Sequence, residues 1–385
     1  MMRDGMAIDR RAFIQMTTAG AGGAVASCLL SACAGFLGAA DPTAVPGLSA
    51  AYTQTPGAAS MAALTPDTPS PTQVPSSTPS PPEGSLGRVA LVRTDDRVQG
   101  ARRALELLEI NPVRDKSILL KPNFNSADPF PGSTHTDTLR TLIDLLREMG
   151  AGEVTIGDRS GMGDTRAVMR AKDVPDMASE LGIKTLIFDE LTTEEWAMMQ
   201  PGDSHWKSGF AIPKAVLRAE GIVQTCCLKT HRYGGHFTLS LKNSVGFAAK
   251  RIPGNRHDFM TELHNSRHQR RMIAEINAAY TPDLILLDGM EAFIDGGPDQ
   301  GTKVAPSVMI AGTDRVAIDA VGVAILRHYG TTPEVQNGPI FGQEQIARAV
   351  ELGLGVDQPE SIELVTGDGT SASFARQIQA ILAQG

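Results

Sequence analysis

The chain has 385 residues, with 35 Lys and Arg against 43 Asp and Glu, for a formal net charge of −8. That balance argues against a nucleic-acid binder, whose footprint is a basic excess or stripe. Four cysteines and no CxxC pair exclude a disulfide-built scaffold, an iron–sulfur motif and a zinc knuckle.

The chain opens on an address. Asp9-Arg10-Arg11-Ala12-Phe13-Ile14-Gln15 resembles a twin-arginine export signal. The Gly/Ala-rich stretch after it, roughly residues 19–32, is too short and too weakly apolar to span a bilayer, which needs ~20 strongly apolar residues. Leu30-Ser31-Ala32-Cys33 resembles a lipobox, with Cys33 as the lipidated residue. Val25-Ala26-Ser27-Cys28 fits less well, because Leu30 is the better residue at its position. A plain cleaved signal or an uncleaved anchor is the alternative. Residues 1–33 are therefore expected to be a signal peptide, with export to the extracytoplasmic face and a lipid anchor in the cell membrane. Residues 34–85 are expected to be a disordered tether. Within them, residues 41–85 hold 10 of the 24 prolines, three acidic residues, no basic one and a single aromatic, Tyr52. Such a segment cannot bury enough apolar surface to offset the entropy of ordering.

Residues 86–385, with a net charge of −6, are expected to form one main globular domain. Arg88–Arg93 predicts a strand, 98–108 a helix, Ser117–Lys121 a strand, and Thr138–Met149 an amphipathic helix with Asp137 as a candidate cap and Gly150 closing it. Glu153–Gly157, Lys184–Phe188, Ile222–Leu228 and Asp283–Leu287 predict further strands with helices between them. Val308–Ala311, helices 315–329 and 343–351, and Ser361–Val365 complete the series. Continuous apolar strands alternating with helices predict an α/β fold, Rossmann-like, with a mostly parallel sheet covered by helices on both faces. In such sheets ligands bind beyond the carboxyl ends of the strands.

That rule sorts the polar residues. Lys121-Pro122-Asn123 follows one strand, and His135 precedes the next helix. Asp158 ends another strand, before Gly161 and Gly163. The densest cluster runs from Leu228 to Gly246 and holds Lys229, His231, Arg232, His236, Lys242 and Asn243 around Gly234-Gly235. Lysines converging at a strand end suit a phosphate or carboxylate. A crowded lysine has a lowered pKa and can serve as base or nucleophile. Lys229, His231 and Lys242 are the candidate catalytic residues. Lys121, Asn123, His135, Asn243, Gly234 and Gly235 are candidate ligand-binding residues, and a solvated basic loop is the bland alternative. Asp158 and Asp288, with His231, are candidate ligands for a divalent metal, although no metal-binding spacing supports them. The competing reading pairs Asp288 and Asp319 with Lys229 or Lys242. Asp295-Gly296-Gly297-Pro298 is expected to turn towards the same mouth. His264 and His268, at helical spacing, are expected on one helix face, exposed or on a lid. Cys226 and Cys227 alternate faces of a strand and read as core cysteines.

Lys121-Pro122-Asn123, Gly157-Asp158, Lys229-Thr230-His231, Leu241-Lys242-Asn243 with Gly246, Asp288-Gly289, Gly296-Gly297-Pro298 and the Asp314–Asp319 pair occur in that order. Together they resemble the bacterial and archaeal family catalogued as domain of unknown function 362, over about residues 88–330. The family carries no established reaction. Many members carry a ferredoxin-type cysteine-rich module, and this sequence has none. A looser similarity links His231 to Gly235 and Lys242 with lactate-racemase-type proteins, in which Lys and His residues in Gly-rich turns hold a nickel-pincer cofactor. The expected function is an exported, lipid-anchored enzyme acting on a small anionic ligand. The alternative is a non-catalytic lipoprotein that binds an anion or cofactor. Neither a substrate nor a cofactor is specified by the sequence.

Overall fold

A computed structural model describes residues 86–200 and 203–384. The expected signal peptide with Cys28 and Cys33, and the expected tether, lie outside the described residues.

In chain order the elements are β1 (Gly87–Arg93), α1 (Arg97–Glu106), β2 (Ile118–Lys121), α2 (Thr136–Glu148), β3 (Val154–Asp158), α3 (Thr165–Ala171), α4 (Val174–Leu181) and β4 (Lys184–Ile187). A two-stranded excursion follows, β5 (Trp196–Met199) and β6 (Phe210–Pro213), then α5 (Lys214–Arg218). The chain returns through β7 (Gly221–His231), β8 (His236–Thr238), α6 (Ser240–Asn243), α7 (Phe259–Asn265), α8 (Gln269–Ile276) and β9 (Leu284–Phe293). It closes with β10 (Lys303–Val304), β11 (Val308–Gly312), α9 (Arg315–His328), α10 (Pro333–Gln336), α11 (Glu344–Glu351), β12 (Ile362–Val365) and α12 (Gly369–Leu382).

The main sheet has the order β12-β1-β11-β9-β7-β2-β3-β4. The contiguous run β9-β7-β2-β3-β4 is parallel, and β12 is parallel to β1. Strand β11 is antiparallel to both of its neighbours, so it alone reverses direction on the path. The expected α/β class with a mostly parallel sheet is what the chain forms. The reversal, and the small hairpin strands β8 and β10, carry no distinct mark in the apolar pattern, because a strand buried on both faces reads alike in either direction.

Side chains alternate across the sheet as a period of two demands. In β1, Val89 and Leu91 join the layer under α9, α11 and α12, whereas Ala90 and Val92 face α1 and α2. In β7, Cys226 lies in the first of these layers and Val223 in the second. A third apolar cluster extends the first face beneath β5, β6, α7 and α8, with Leu119, Phe210, Phe247 and Met272 at its centre. Cys226 and Cys227 are both buried free thiols, and burial pushes both up, Cys227 to about 11.

Several local expectations are corrected. His135, not Asp137, caps α2: its Nδ1 accepts the Asp137 N–H at 3.1 Å. His264 and His268 do not share a helix face, because α7 ends at Asn265 and His268 is the residue before α8. The segment after Leu228 is not a loop. β7 continues to His231 and pairs with β8 in a hairpin whose turn is Arg232–Gly235. Gly234 sits there at φ +81°, a left-handed conformation that glycine adopts without steric cost.

Candidate functional site

The carboxyl ends of β2, β3 and β7 bring Lys121, Asp158 and Lys229 to one edge of the sheet, and the hairpin and α6 fold Lys242 and Asn243 over them. These residues line an inner cavity of about 40 Å³, together with Asn123, Arg159 and Thr238. That volume admits a group of one to a few heavy atoms, since one water needs ~10–15 Å³ on this measure. The cavity adjoins an outer groove of about 530 Å³ lined by Met162, His231, Tyr233, Met260 and His264. Arg159 and Lys242 border both volumes.

Each cation at the cavity is held differently. Lys121 Nζ pairs with Asp158 Oδ1 at 2.7 Å and donates to the Pro122 carbonyl at 2.7 Å and Asn243 Oδ1 at 3.1 Å. Asp158 is further fixed by the N–H groups of Phe124, at 3.0 Å, and Arg159, at 2.6 Å. Lys229 Nζ donates to Asn123 Oδ1 at 3.2 Å and to the carbonyls of Gly132 and Pro298. The Arg159 guanidinium reaches the Ala248 carbonyl at 3.0 and 2.8 Å and also the Val245 carbonyl. Among the described residues, neither Lys229 nor Arg159 has a carboxylate partner, and Lys242 Nζ has neither a hydrogen-bond nor a carboxylate partner. Among the described residues, the cavity lining thus carries Lys121, Arg159, Lys229 and Lys242 against the single carboxylate of Asp158. Burial lowers the pKa of all four cations, and like charges add to the effect at Lys242, which is pushed down to about 7 by burial first and then by Lys229 and Arg159.

His231 is buried, and its Nδ1 has no partner among the described residues. Burial, then Lys242 and Lys229, hold its pKa well below 6.5, so the ring is neutral at physiological pH. Its ring meets Tyr233 edge-on at 5.8 Å. His264 bonds through Nδ1 to the Met260 carbonyl at 2.7 Å. A carbonyl only accepts, so that nitrogen carries the proton and Nε2 is the basic edge.

Two glycines make room for this cluster. A Cβ at Gly246 would stand 2.5 Å from Lys121 Nζ and 2.7 Å from Asp158 Oδ1. A Cβ at Gly235 would stand 2.6 Å from Lys242 Cε and 3.1 Å from His231 Nδ1. Gly235 therefore clears space for Lys242 rather than lining the cavity, and its carbonyl is held by Gln345 at 2.5 Å. Gly234 does line the groove. Pro298, in the expected Gly296-Gly297-Pro298 turn, borders both volumes.

Other expected residues lie elsewhere. His135 caps α2 and lines neither volume. Asp288 pairs with Arg97 at 2.9 Å and accepts from Thr138, and Asp319 accepts the N–H groups of Ser240 at 2.8 Å and Leu241 at 3.2 Å. Neither aspartate reaches Lys229 or Lys242. Asp158, Asp288 and His231 are not assembled as ligands, and among the described residues no three His, Cys, Asp or Glu side chains group to hold a metal ion. A cavity lined by four cationic side chains has the wrong charge for a divalent cation. The geometry adds one residue that the sequence did not single out for the site, Arg159, and it places His264, expected exposed or on a lid, at the groove. Neither bears a motif, since one is held by carbonyls about ninety positions away and the other arrives on a short helix.

A family model described as "Domain of unknown function (DUF362)" matches residues 118–324. A thylakoid-associated protein of Synechocystis sp. is 25% identical over 213 residues, 54% of this chain and 63% of that protein. This chain thus spans less than two thirds of that curated relative. The lactate racemase apoprotein from Thermoanaerobacterium thermosaccharolyticum is a distant likeness, with a TM-score of 0.37 and 19% identity over 60% of this chain and 55% of that one.

Proposed function

We propose, for a chain that belongs to the family described as domain of unknown function 362, that it is an enzyme acting on a small organic anion. The carboxylate or phosphate of the ligand occupies the inner cavity, and the rest of the molecule lies in the outer groove. The observation that carries this reading is the excess of four cationic side chains over one carboxylate around a cavity of about 40 Å³. An uncompensated buried cation is costly, and an anion supplies the missing partner. Lys121 and Lys229 are fixed by several acceptors and serve to bind. Lys242, near pKa 7, exchanges a proton at neutral pH, and His231 beside it is a neutral acid–base group. The unpartnered Nδ1 of His231 beside Lys242 is an acid–base group that holding an anion does not call for, which ranks the enzyme above the binding lipoprotein.

The test is calorimetric titration of the full chain with inorganic phosphate and with acetate at low salt. Binding that is lost in Lys229→Met and weakened by added chloride supports the reading. Equal affinity in wild type and variant overturns it.

Export and anchoring belong to the same proposal. Asp9 to Gln15 and Leu30 to Cys33 support twin-arginine export with lipid on Cys33, and the Pro-rich residues 34–85 support a tether between membrane and domain. The relative's printed name, thylakoid-associated, is compatible with life at a membrane. Metabolic labelling with a radioactive fatty acid tests this: label lost in Cys33→Ala supports it, and label lost only in Cys28→Ala moves the anchor.

A further inference from the structure

We infer that Lys242 forms an imine with the carbonyl carbon of a 2-oxo acid whose carboxylate sits in the inner cavity. This rests on the anion-binding reading above and names the substrate class.

Three observations lead to it. Lys121 and Lys229 spend their N–H groups on fixed acceptors, whereas Lys242 Nζ has no partner among the described residues, and the residue is only 9% exposed. An amine at the end of a largely buried side chain, with no protein acceptor to hold its protons, is easily deprotonated, and its lone pair is then free to attack a carbonyl from the cavity side. Lys242 also borders both volumes. With a carboxylate in the inner cavity, the carbon bonded to it stands at the junction beside this amine, and in a 2-oxo acid that carbon is the ketone. Finally, the unpartnered His231 Nδ1 lies on the same side of Gly235 as Lys242 Cε, each within about 3 Å of the position a Cβ would take there. The groove beyond, with Met162, Tyr233 and Met260, receives the side chain of the oxo acid.

The chemistry balances without an oxidant or reductant. The neutral amine attacks the ketone carbon, a C–N bond forms and the C=O π pair moves to oxygen. His231 takes a proton from the new ammonium and delivers it to that oxygen, giving a neutral carbinolamine. A proton from solvent in the groove then protonates the hydroxyl, the C–O bond breaks, the nitrogen lone pair closes the C=N bond, and one water leaves, so that the proton remains as the charge of the protonated imine. Nearby Arg159 and Lys229 oppose the charge of the ketone's carboxylate throughout.

The experiment is borohydride trapping. The full chain is incubated with pyruvate at neutral pH, reduced with sodium borohydride, and examined by intact mass and peptide mapping. The expected result is one adduct on Lys242, equal to pyruvic acid less one oxygen atom. It should form on the order of tenfold or more ahead of surface lysines, which are almost wholly protonated at that pH. It should be suppressed by inorganic phosphate, absent in Lys242→Arg and slowed in His231→Asn. If Lys242→Arg does not fold, the wild-type map alone decides. Calorimetric binding of pyruvate without an adduct, or with adducts spread over surface lysines, overturns the imine and leaves the anion site standing. No binding of either pyruvate or phosphate overturns both.

Discussion

Replacing Lys242 by Met should make the folded protein more stable, and the gain should disappear as the pH rises. Met has a similar length and no charge to bury. The Lys242 ammonium falls from an ordinary 10.5 to about 7. At ~1.4 kcal/mol per pH unit, that drop bounds the cost of the buried charge at roughly 5 kcal/mol. The adjoining cavity admits water, so a net gain of about 2 kcal/mol or more is expected for the variant at neutral pH and below. The sign follows from linkage. The folded pKa lies below the unfolded one, so the unfolded chain holds more protons between about pH 7 and 10.5. Wild-type stability therefore rises across that window, and the penalty is fully present below it. Urea denaturation of both proteins near pH 6 and near pH 10 measures the effect. A variant that is less stable than wild type near pH 6, or a gap that does not shrink with pH, would refute the argument that this lysine is held against its own solvation.

Two further substitutions probe how the cluster is held. Asp158→Asn leaves Lys121 buried without its charge partner and should cost ~3 kcal/mol of stability; an unchanged urea midpoint would show that the carbonyl of Pro122 and Asn243 suffice. Gly246→Ala places a methyl 2.5 Å from Lys121 Nζ, so the ion pair must shift, with a loss of ~1–3 kcal/mol and weaker phosphate binding. Unaltered phosphate affinity in a folded Gly246→Ala protein would remove that pair from the site.

Much of this site is legible in the amino-acid sequence. Lys121, Asp158 and Lys229 follow or end apolar runs, and a parallel sheet delivers such positions to one edge. Lys242 and Asn243 join them because a hairpin and a short helix double back within fifteen residues of β7. Residues whose partners are far along the chain are not legible. Arg159 is fixed by the Val245 and Ala248 carbonyls, and backbone acceptors leave no trace in side-chain identity. His264 lines the groove from α7, which ends at Asn265, whereas its spacing from His268 suggests a continuous helix. His135 misleads for the opposite reason: it stands at a helix start beyond a strand end, yet the ring is spent on the cap. Asp288 ends an apolar run and still lies within β9, where Arg97 from α1 neutralises it. Its position in the pattern does not reveal that partner.

On the proposed reading, an anion in the inner cavity meets Lys242 and its cationic neighbours. The affinity of inorganic phosphate, measured by calorimetry from about pH 6 to about pH 9 in wild type and in Lys242→Met, tests this. The phosphate's own second ionisation is common to both proteins and cancels in the comparison. Affinity should fall in wild type above about pH 7, where Lys242 loses its proton, by up to about tenfold per pH unit relative to the variant. Parallel profiles for the two proteins would contradict it.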